Sequence, residues 1–218
     1  MFEIDGGVNL TDELLFRVAF SALWVIFFAS VMWVSYSTKG SADRQTTTYA
    51  NRLRIAAAAL AIIYFAGALV YALVPSWVMF FSILLPDWLR LGMVSAAVLG
   101  ILLVSWAYRA LGKNWAPSVS GVRKDAVLVT NGLYSCVRHP IYLGAFIFLV
   151  ALSLVAANLI VLLPTIALLA LLYASIDEEE VMLIDRFGDE YREYMKRTPR
   201  LIPMHWHNHR AEHRKQPL

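Results

Sequence analysis

The chain has 218 residues, 59% hydrophobic and 16% charged, with a formal net charge of +3. Soluble domains carry about 25% charged and about 45–50% apolar residues, so this composition excludes an ordinary soluble domain. The charge is too small to point to nucleic acid, and the basic residues sit in loops, where membrane topology accounts for them. The apolar residues fall in blocks long enough to cross a bilayer, which takes about 20 helical residues. The expected fold class is therefore all-α: a polytopic membrane protein of about five transmembrane helices. One cysteine, Cys136, rules out an internal disulfide and reads as a small loop residue. Residues 1–13 carry Glu3, Asp5, Asp12 and Glu13 and no basic residue, the opposite of a signal peptide.

The first span is expected from about Leu14 to Tyr36. Asp12 and Glu13 suit its N-terminal dipole, and Arg17 is placed to snorkel to the interface. A polar loop from Ser37 to Arg54 follows, with Lys39, Arg44, Arg52 and Arg54 against Asp43. The second span runs from about Ile55 to Val74. Residues 75–87, broken by Pro75 and Pro86, read as an interfacial segment too short to span. The third span covers about Trp88 to Leu111, with Gly92, Ala96, Ala97 and Gly100 available for close helix packing.

After a polar segment at 112–139, the apolar run Ile141–Ile176 would make one helix about 54 Å long, against a hydrocarbon core of about 30 Å. Asn158 is the expected turn, giving spans at about 141–157 and 159–176, with Pro164 in the first turns of the second. From Asp177, Leu183, Phe187, Tyr191 and Tyr194 recur at spacings of three and four, predicting a C-terminal amphipathic helix. Pro199 and Pro203 stop it. Five spans put the termini on opposite sides. The positive-inside rule places the N-terminus outside, and the C-terminus with segments 37–54 and 112–139 in the cytoplasm. The organisation expected is 1–111 for the first three spans, 112–203 for a catalytic half, and 204–218 for a flexible polar tail.

Chemistry concentrates at the junction Gly132–Tyr142. Pro140 fixes a helix start, and Arg138 and His139 present donors to an anionic group. Tyr142 adds an aromatic wall, and Gly132 permits a close backbone approach. The acidic run Asp177–Glu180 reads either as a solvated cap on the tail helix or as a carboxylate turned into the bundle, where it marks a site. His205, His207, His209 and His213 have no rigid ligand set around them, so no metal site is expected.

These features occur in a fixed order. Leu128-Val129, Gly132, Tyr134, Arg138-His139-Pro140 and Tyr142 come first. Glu179-Glu180, Leu183, Phe187-Gly188, Glu190-Tyr191, Tyr194 and Pro199-Arg200 with Pro203 follow. The pattern resembles the isoprenylcysteine carboxyl methyltransferase family of integral membrane enzymes, over about 111–203. Leu111-Gly112-Lys113-Asn114-Trp115 is similar to the segment opening that family's catalytic half. The resemblance implies S-adenosylmethionine as methyl donor, with S-adenosylhomocysteine as product. It implies that Ala126, Val127, Leu128, Val129, Gly132, Tyr134, His139, Pro140, Ile141 and Tyr142 line the donor, with Glu179 as its acidic contact. Arg138, Glu180 and Arg200 are the implied catalytic or supporting residues. The implied partner is a lipophilic or lipidated acceptor reached through the membrane. The family members that methylate prenylated cysteine carry an arginine where this chain has Ser175. A carboxylate, a thiol or an amine is then open as nucleophile, with Glu179 or Glu180 the nearest base for an amine. The alternatives are a membrane sterol or enone reductase using NADPH, which shares a similar Arg-His-Pro-x-Tyr pattern, and a non-catalytic scaffold.

Overall fold

A computed structural model describes residues 10–37, 48–112 and 127–202. Among these residues there are eight helices and no strand: α1 (Leu10–Ser37), α2 (Thr48–Leu73), α3 (Pro75–Phe80), α4 (Asp87–Leu111), α5 (Leu133–Cys136), α6 (Pro140–Ala156), α7 (Leu159–Phe187) and α8 (Asp189–Arg197). Four of them, α1, α2, α4 and α7, are long and apolar enough to cross a membrane. Helix α6 has 17 residues and, at about 1.5 Å each, reaches only the short end of the spanning range. The five expected spans are thus four long helices and one short one. The long helices are apolar all round, and residues such as Val25, Met32, Trp33, Ile62, Leu102, Trp106 and Leu163 face outward. That is the distribution of a protein solvated by lipid rather than water.

In lipid there is no hydrophobic drive between helices, so close packing of small residues holds them together. Helix α4 packs most extensively on α6. A Cβ on Gly100 would lie 2.8 Å from the Phe148 nitrogen and 2.9 Å from the Gly144 carbonyl oxygen; one on Gly144 would lie 2.7 Å from the Val104 side chain. Gly92, also expected to pack, faces open space. Phe27 of α1 stacks on Phe148 at 3.9 Å, tying α1 to the same seam. Helix α2 packs on α7, where Gly67 meets the Ile160 carbonyl.

The α6–α7 hairpin turns at Asn158, as its sequence indicates. Ala157 takes a left-handed φ of 46°, and the Asn158 side chain caps α7 by accepting from the Ile160 amide at 3.0 Å. The interfacial segment seals this turn: Ile83 donates to the Ala157 carbonyl (2.7 Å) and Leu159 to that of Phe81 (2.9 Å). Beside it, Arg90 is buried over the Phe16 ring. It donates to the Val155 carbonyl at 3.0 Å and to Glu13 at 2.8 Å. Arg17 does not snorkel. It donates to the Tyr71 (3.0 Å) and Ala72 (2.6 Å) carbonyls. Tyr71 donates to Glu13 at 3.1 Å. The terminal carbonyls of α2 and α6 lack partners within their own helices, and these arginines satisfy them; Glu13, in the first turn of α1, is also the ion-pair partner of Arg90.

Two further expectations change. Helix α2 begins at Thr48, inside the expected loop. The amphipathic helix does not start at Asp177: α7 continues unbroken to Phe187. Gly188, at φ 57°, then breaks the path and α8 begins. The acidic run therefore lies within a helix and not at its start. The tail histidines, and Lys113, Arg123 and Lys124, lie outside the described residues.

Filling the α4–α6 seam should cost about 1–3 kcal/mol. Gly100→Val is expected to lower the thermal midpoint of the detergent-solubilised protein, while Gly92→Val on the same helix leaves it unchanged. Equal effects would contradict the packing described.

Candidate active site

The junction is built from short, constrained pieces. Asn131 and Gly132 turn the chain into the single turn α5, with Gly132 at φ 59° and the Tyr134 amide bonded to the Asn131 carbonyl at 3.1 Å. Val137 is extended, and Pro140 occupies the first turn of α6, where its missing N–H costs nothing. The extended stretch pairs with the chain beyond α8: the Arg138 amide donates to the Pro199 carbonyl (2.8 Å) and the His139 amide to that of Arg200 (3.1 Å). Helix α8 buries Tyr191 and Tyr194 and turns the pairs Asp189–Arg192 and Glu193–Lys196 outward. Tyr194 donates to the Tyr134 carbonyl at 2.5 Å, fastening α8 over α5.

Glu180 joins these pieces. Its Oε1 accepts from Arg138 Nε (3.0 Å) and Nη2 (2.7 Å), and lies 3.1 Å from His139 Nε2. Its Oε2 accepts from Arg200, which also pairs with Asp177 at 2.8 Å. Arg138 Nη1 donates to the carbonyls of Met195 (3.2 Å) and Thr198 (2.5 Å). One Nη2 hydrogen of the five on this guanidinium remains beyond these four bonds. Glu179 stands apart from this hub. Its Oε2 accepts from Tyr142 at 2.8 Å, and its Oε1 lies 4.0 Å from His139 Nδ1. The hydrogen bond to Glu180 holds the Arg200 guanidinium above its ordinary range. Burial pushes the phenols of Tyr134 and Tyr191 up, and that of Tyr194 up to about 12. All three phenols are therefore neutral donors near neutral pH.

A cavity of about 430 Å³ opens on this cluster, within the size range of small-molecule sites. One end is polar, lined by Val127–Val129, Tyr134, Arg138–Tyr142, Glu179 and Tyr191. The other runs between the long helices and is lined by Phe27, Phe28, Val31, Phe65, Leu149, Leu168 and Leu172. Of the expected site residues, Val127, Leu128, Val129, Tyr134, Arg138, His139, Pro140, Ile141, Tyr142 and Glu179 are on its wall. Gly132, Glu180 and Arg200 are not on the wall, and Ala126 lies outside the described residues. Ser175 is off the lining and donates to the Leu171 carbonyl of its own helix. Sequence reasoning missed Tyr108 and the apolar wall, which no local pattern separates from any membrane helix. It placed Leu183, Phe187, Tyr191 and Tyr194 on one stripe, and all four are on the cavity wall.

Residues 91–185 match the model of the isoprenylcysteine carboxyl methyltransferase (ICMT) family. Over that stretch the chain is similar to the ICMT family. Protein-S-isoprenylcysteine O-methyltransferase of Schizosaccharomyces pombe is 37% identical over 108 residues, 49% of this chain and 46% of the relative. The human protein of that name is 32% identical over 118 residues, 53% of this chain and 42% of the relative. The nickel-cobalt-cadmium resistance protein NccN of Alcaligenes xylosoxydans xylosoxydans is 30% identical over 110 residues, 50% of this chain and 52% of the relative. The chain spans about half the length of the curated relatives it matches. Its fold is that of a solved eukaryotic intramembrane Ras methyltransferase ICMT, with a TM-score of 0.59 at 22% identity over 90% of this chain and 69% of the other.

Glu180→Gln keeps the side-chain shape but leaves Arg138, His139 and Arg200 facing a neutral amide. Breaking a buried ion-pair hub costs on the order of 3 kcal/mol. A lower thermal midpoint without any ligand is expected, and an unchanged midpoint would remove Glu180 from its joining role.

Proposed function

We propose that this chain is a membrane methyltransferase that moves the methyl group of S-adenosylmethionine to a lipophilic acceptor. One observation carries the reading: Arg138, His139 and Tyr142 converge with Glu179 at the polar end of a cavity whose other end is apolar. A polar donor and a greasy acceptor need such a two-ended site. The names of the relatives support the same chemistry.

The donor set fits the methyl donor. S-adenosylmethionine carries a cationic sulfonium and ammonium, a carboxylate, a ribose diol and a flat adenine. Glu179 supplies a carboxylate for a cation or a diol. His139 and the remaining Arg138 hydrogen suit the carboxylate. Tyr134, Tyr142 and the extended Val127–Val129 backbone offer faces and edges for the base. The Tyr191 hydroxyl, buried on the wall, has no hydrogen-bond partner among the described residues.

The bound donor would supply an electrophilic methyl group, and displacement at such a carbon demands alignment and dryness above all. Tyr134, Tyr191 and Tyr194 under α8 exclude water from the polar end. Arg200 acts through Glu180, which fixes Arg138, His139 and therefore the turn into α6; Arg200 and Glu180 are positioning residues, whereas Arg138 also offers its remaining hydrogen to the donor. Glu179 is the carboxylate on the wall and the proton acceptor if the nucleophile is an amine. In this reading 112–203 holds the donor and the helices of 1–111 hold the acceptor. The positive-inside pattern supports a cytoplasmic donor site and C-terminus with the N-terminus outside.

S-adenosylhomocysteine should raise the thermal midpoint of the solubilised protein, and NADPH should not. Glu179→Gln removes a charge-assisted contact and should weaken S-adenosylhomocysteine binding about tenfold or more. Stabilisation by NADPH alone would replace this reading with a reductase.

A further inference from the structure

Among the described residues, three buried side-chain polar atoms lack a hydrogen-bond partner: Trp24 Nε1, Tyr64 Oη and Tyr191 Oη. Burying a polar group without a partner is costly, and native proteins leave few. Two of the three line the cavity described above, and the third packs against its wall. Tyr191 lines its polar end, as the donor reading requires. Tyr64 lines its apolar end and is 2% exposed. Trp24 stands directly behind that end, its ring 4.8 Å from Phe65 and 5.2 Å from Phe28, both on the wall.

The position of Tyr64 is deep. Leu168 on the wall lies eleven residues before Glu179, roughly 16 Å along α7. Tyr64 lies deeper again, less than one turn from Gly67, which meets Ile160 near the hairpin end of α7. Nothing at the polar end explains a hydroxyl there. A tryptophan N–H only donates, and a tyrosine hydroxyl donates readily. Donating into the cavity, the Tyr64 hydroxyl would be satisfied by an acceptor atom such as an oxygen.

Resting on the methyl-transfer reading, we propose that Tyr64 is a specificity-determining residue. It donates to an oxygen carried within the lipophilic part of the acceptor. The acceptor is then an oxygenated amphiphile, a ketone, ester or ether in its chain, rather than a plain hydrocarbon tail. A bare isoprenoid or alkyl chain would fill the apolar end and leave the Tyr64 hydroxyl unpaired.

The test uses full-length solubilised protein and a set of N-acetyl-S-alkylcysteine probes. One probe carries an all-carbon hexadecyl chain, and the others replace successive methylenes of that chain by a carbonyl. Dissociation constants are measured for the wild type and for Tyr64→Phe, which removes only an unpartnered hydroxyl. At one carbonyl position the wild type should bind about fivefold or more tightly than it binds the all-carbon chain, the worth of one hydrogen bond. Tyr64→Phe should abolish that gain and leave the all-carbon affinity unchanged. The proposal is overturned if no position gains affinity, or if the gain survives in Tyr64→Phe. Stabilisation by S-adenosylhomocysteine, measured on the same two proteins, reads the donor site separately. Its absence in both would sink the methyl-donor reading and leave the probe comparison standing as a test of the apolar end.

Discussion

The site depends on the carboxylate of Glu180. It reaches Arg138 and His139 before α6 and Arg200 after α8. These groups are 42, 41 and 20 residues away from it in sequence. Without it, Arg138 would lose its carboxylate partner, and Arg200 would keep only Asp177. With it, the turn into α6, the last turns of α7 and the chain beyond α8 become one rigid piece. Backbone pairing of 138–139 with 199–200 reinforces the same closure. The division of labour between neighbouring acids follows from helix geometry. Successive residues on α7 point about 100° apart, so Glu180 faces the basic cluster while Glu179 faces the cavity.

The rest of the fold serves that piece at a distance. The α4–α6 seam, closed by Gly100 and Gly144, leaves α6 room to descend next to α4. At the opposite end, Arg90 and Arg17 bind the last carbonyls of α6 and α2, and Glu13 accepts from both Arg90 and the Tyr71 hydroxyl. The bundle is thus pinned at both ends by charged groups and packed by small and aromatic ones between. The cavity lies where that packing is left open, from the Glu179 end down toward Tyr64. A rigid frame around a two-ended cavity suits a reaction that aligns two unlike molecules.

Much of this was legible in the sequence, and the parts that were not have physical reasons. The apolar blocks and the Asn158 turn were readable because a bilayer imposes length and a hairpin needs a cap. The junction at 132–142 was readable because proline, glycine and paired cations are unusual between apolar helices. The union of Arg138 with Glu180 was implied only by the order of motifs, since nothing local tells which of four consecutive acids turns inward. The continuity of α7 past Asp177 was missed because the change from apolar to amphipathic residues looks like a new helix. Gly188 is where the backbone breaks. Arg17 was misread because an arginine near a helix end looks like a snorkelling residue, and its carbonyl partners belong to another helix. The apolar wall, with Tyr64 and Trp24, was invisible because every membrane helix is greasy on all sides and only tertiary packing selects the inward face.

The most direct test of the account is ultraviolet cross-linking of radiolabelled S-adenosylmethionine to the solubilised protein, followed by peptide mapping. The account predicts label in the segments 127–142 and 179–194, removed by excess S-adenosylhomocysteine. Label confined to other segments, or label that S-adenosylhomocysteine does not displace, would contradict it.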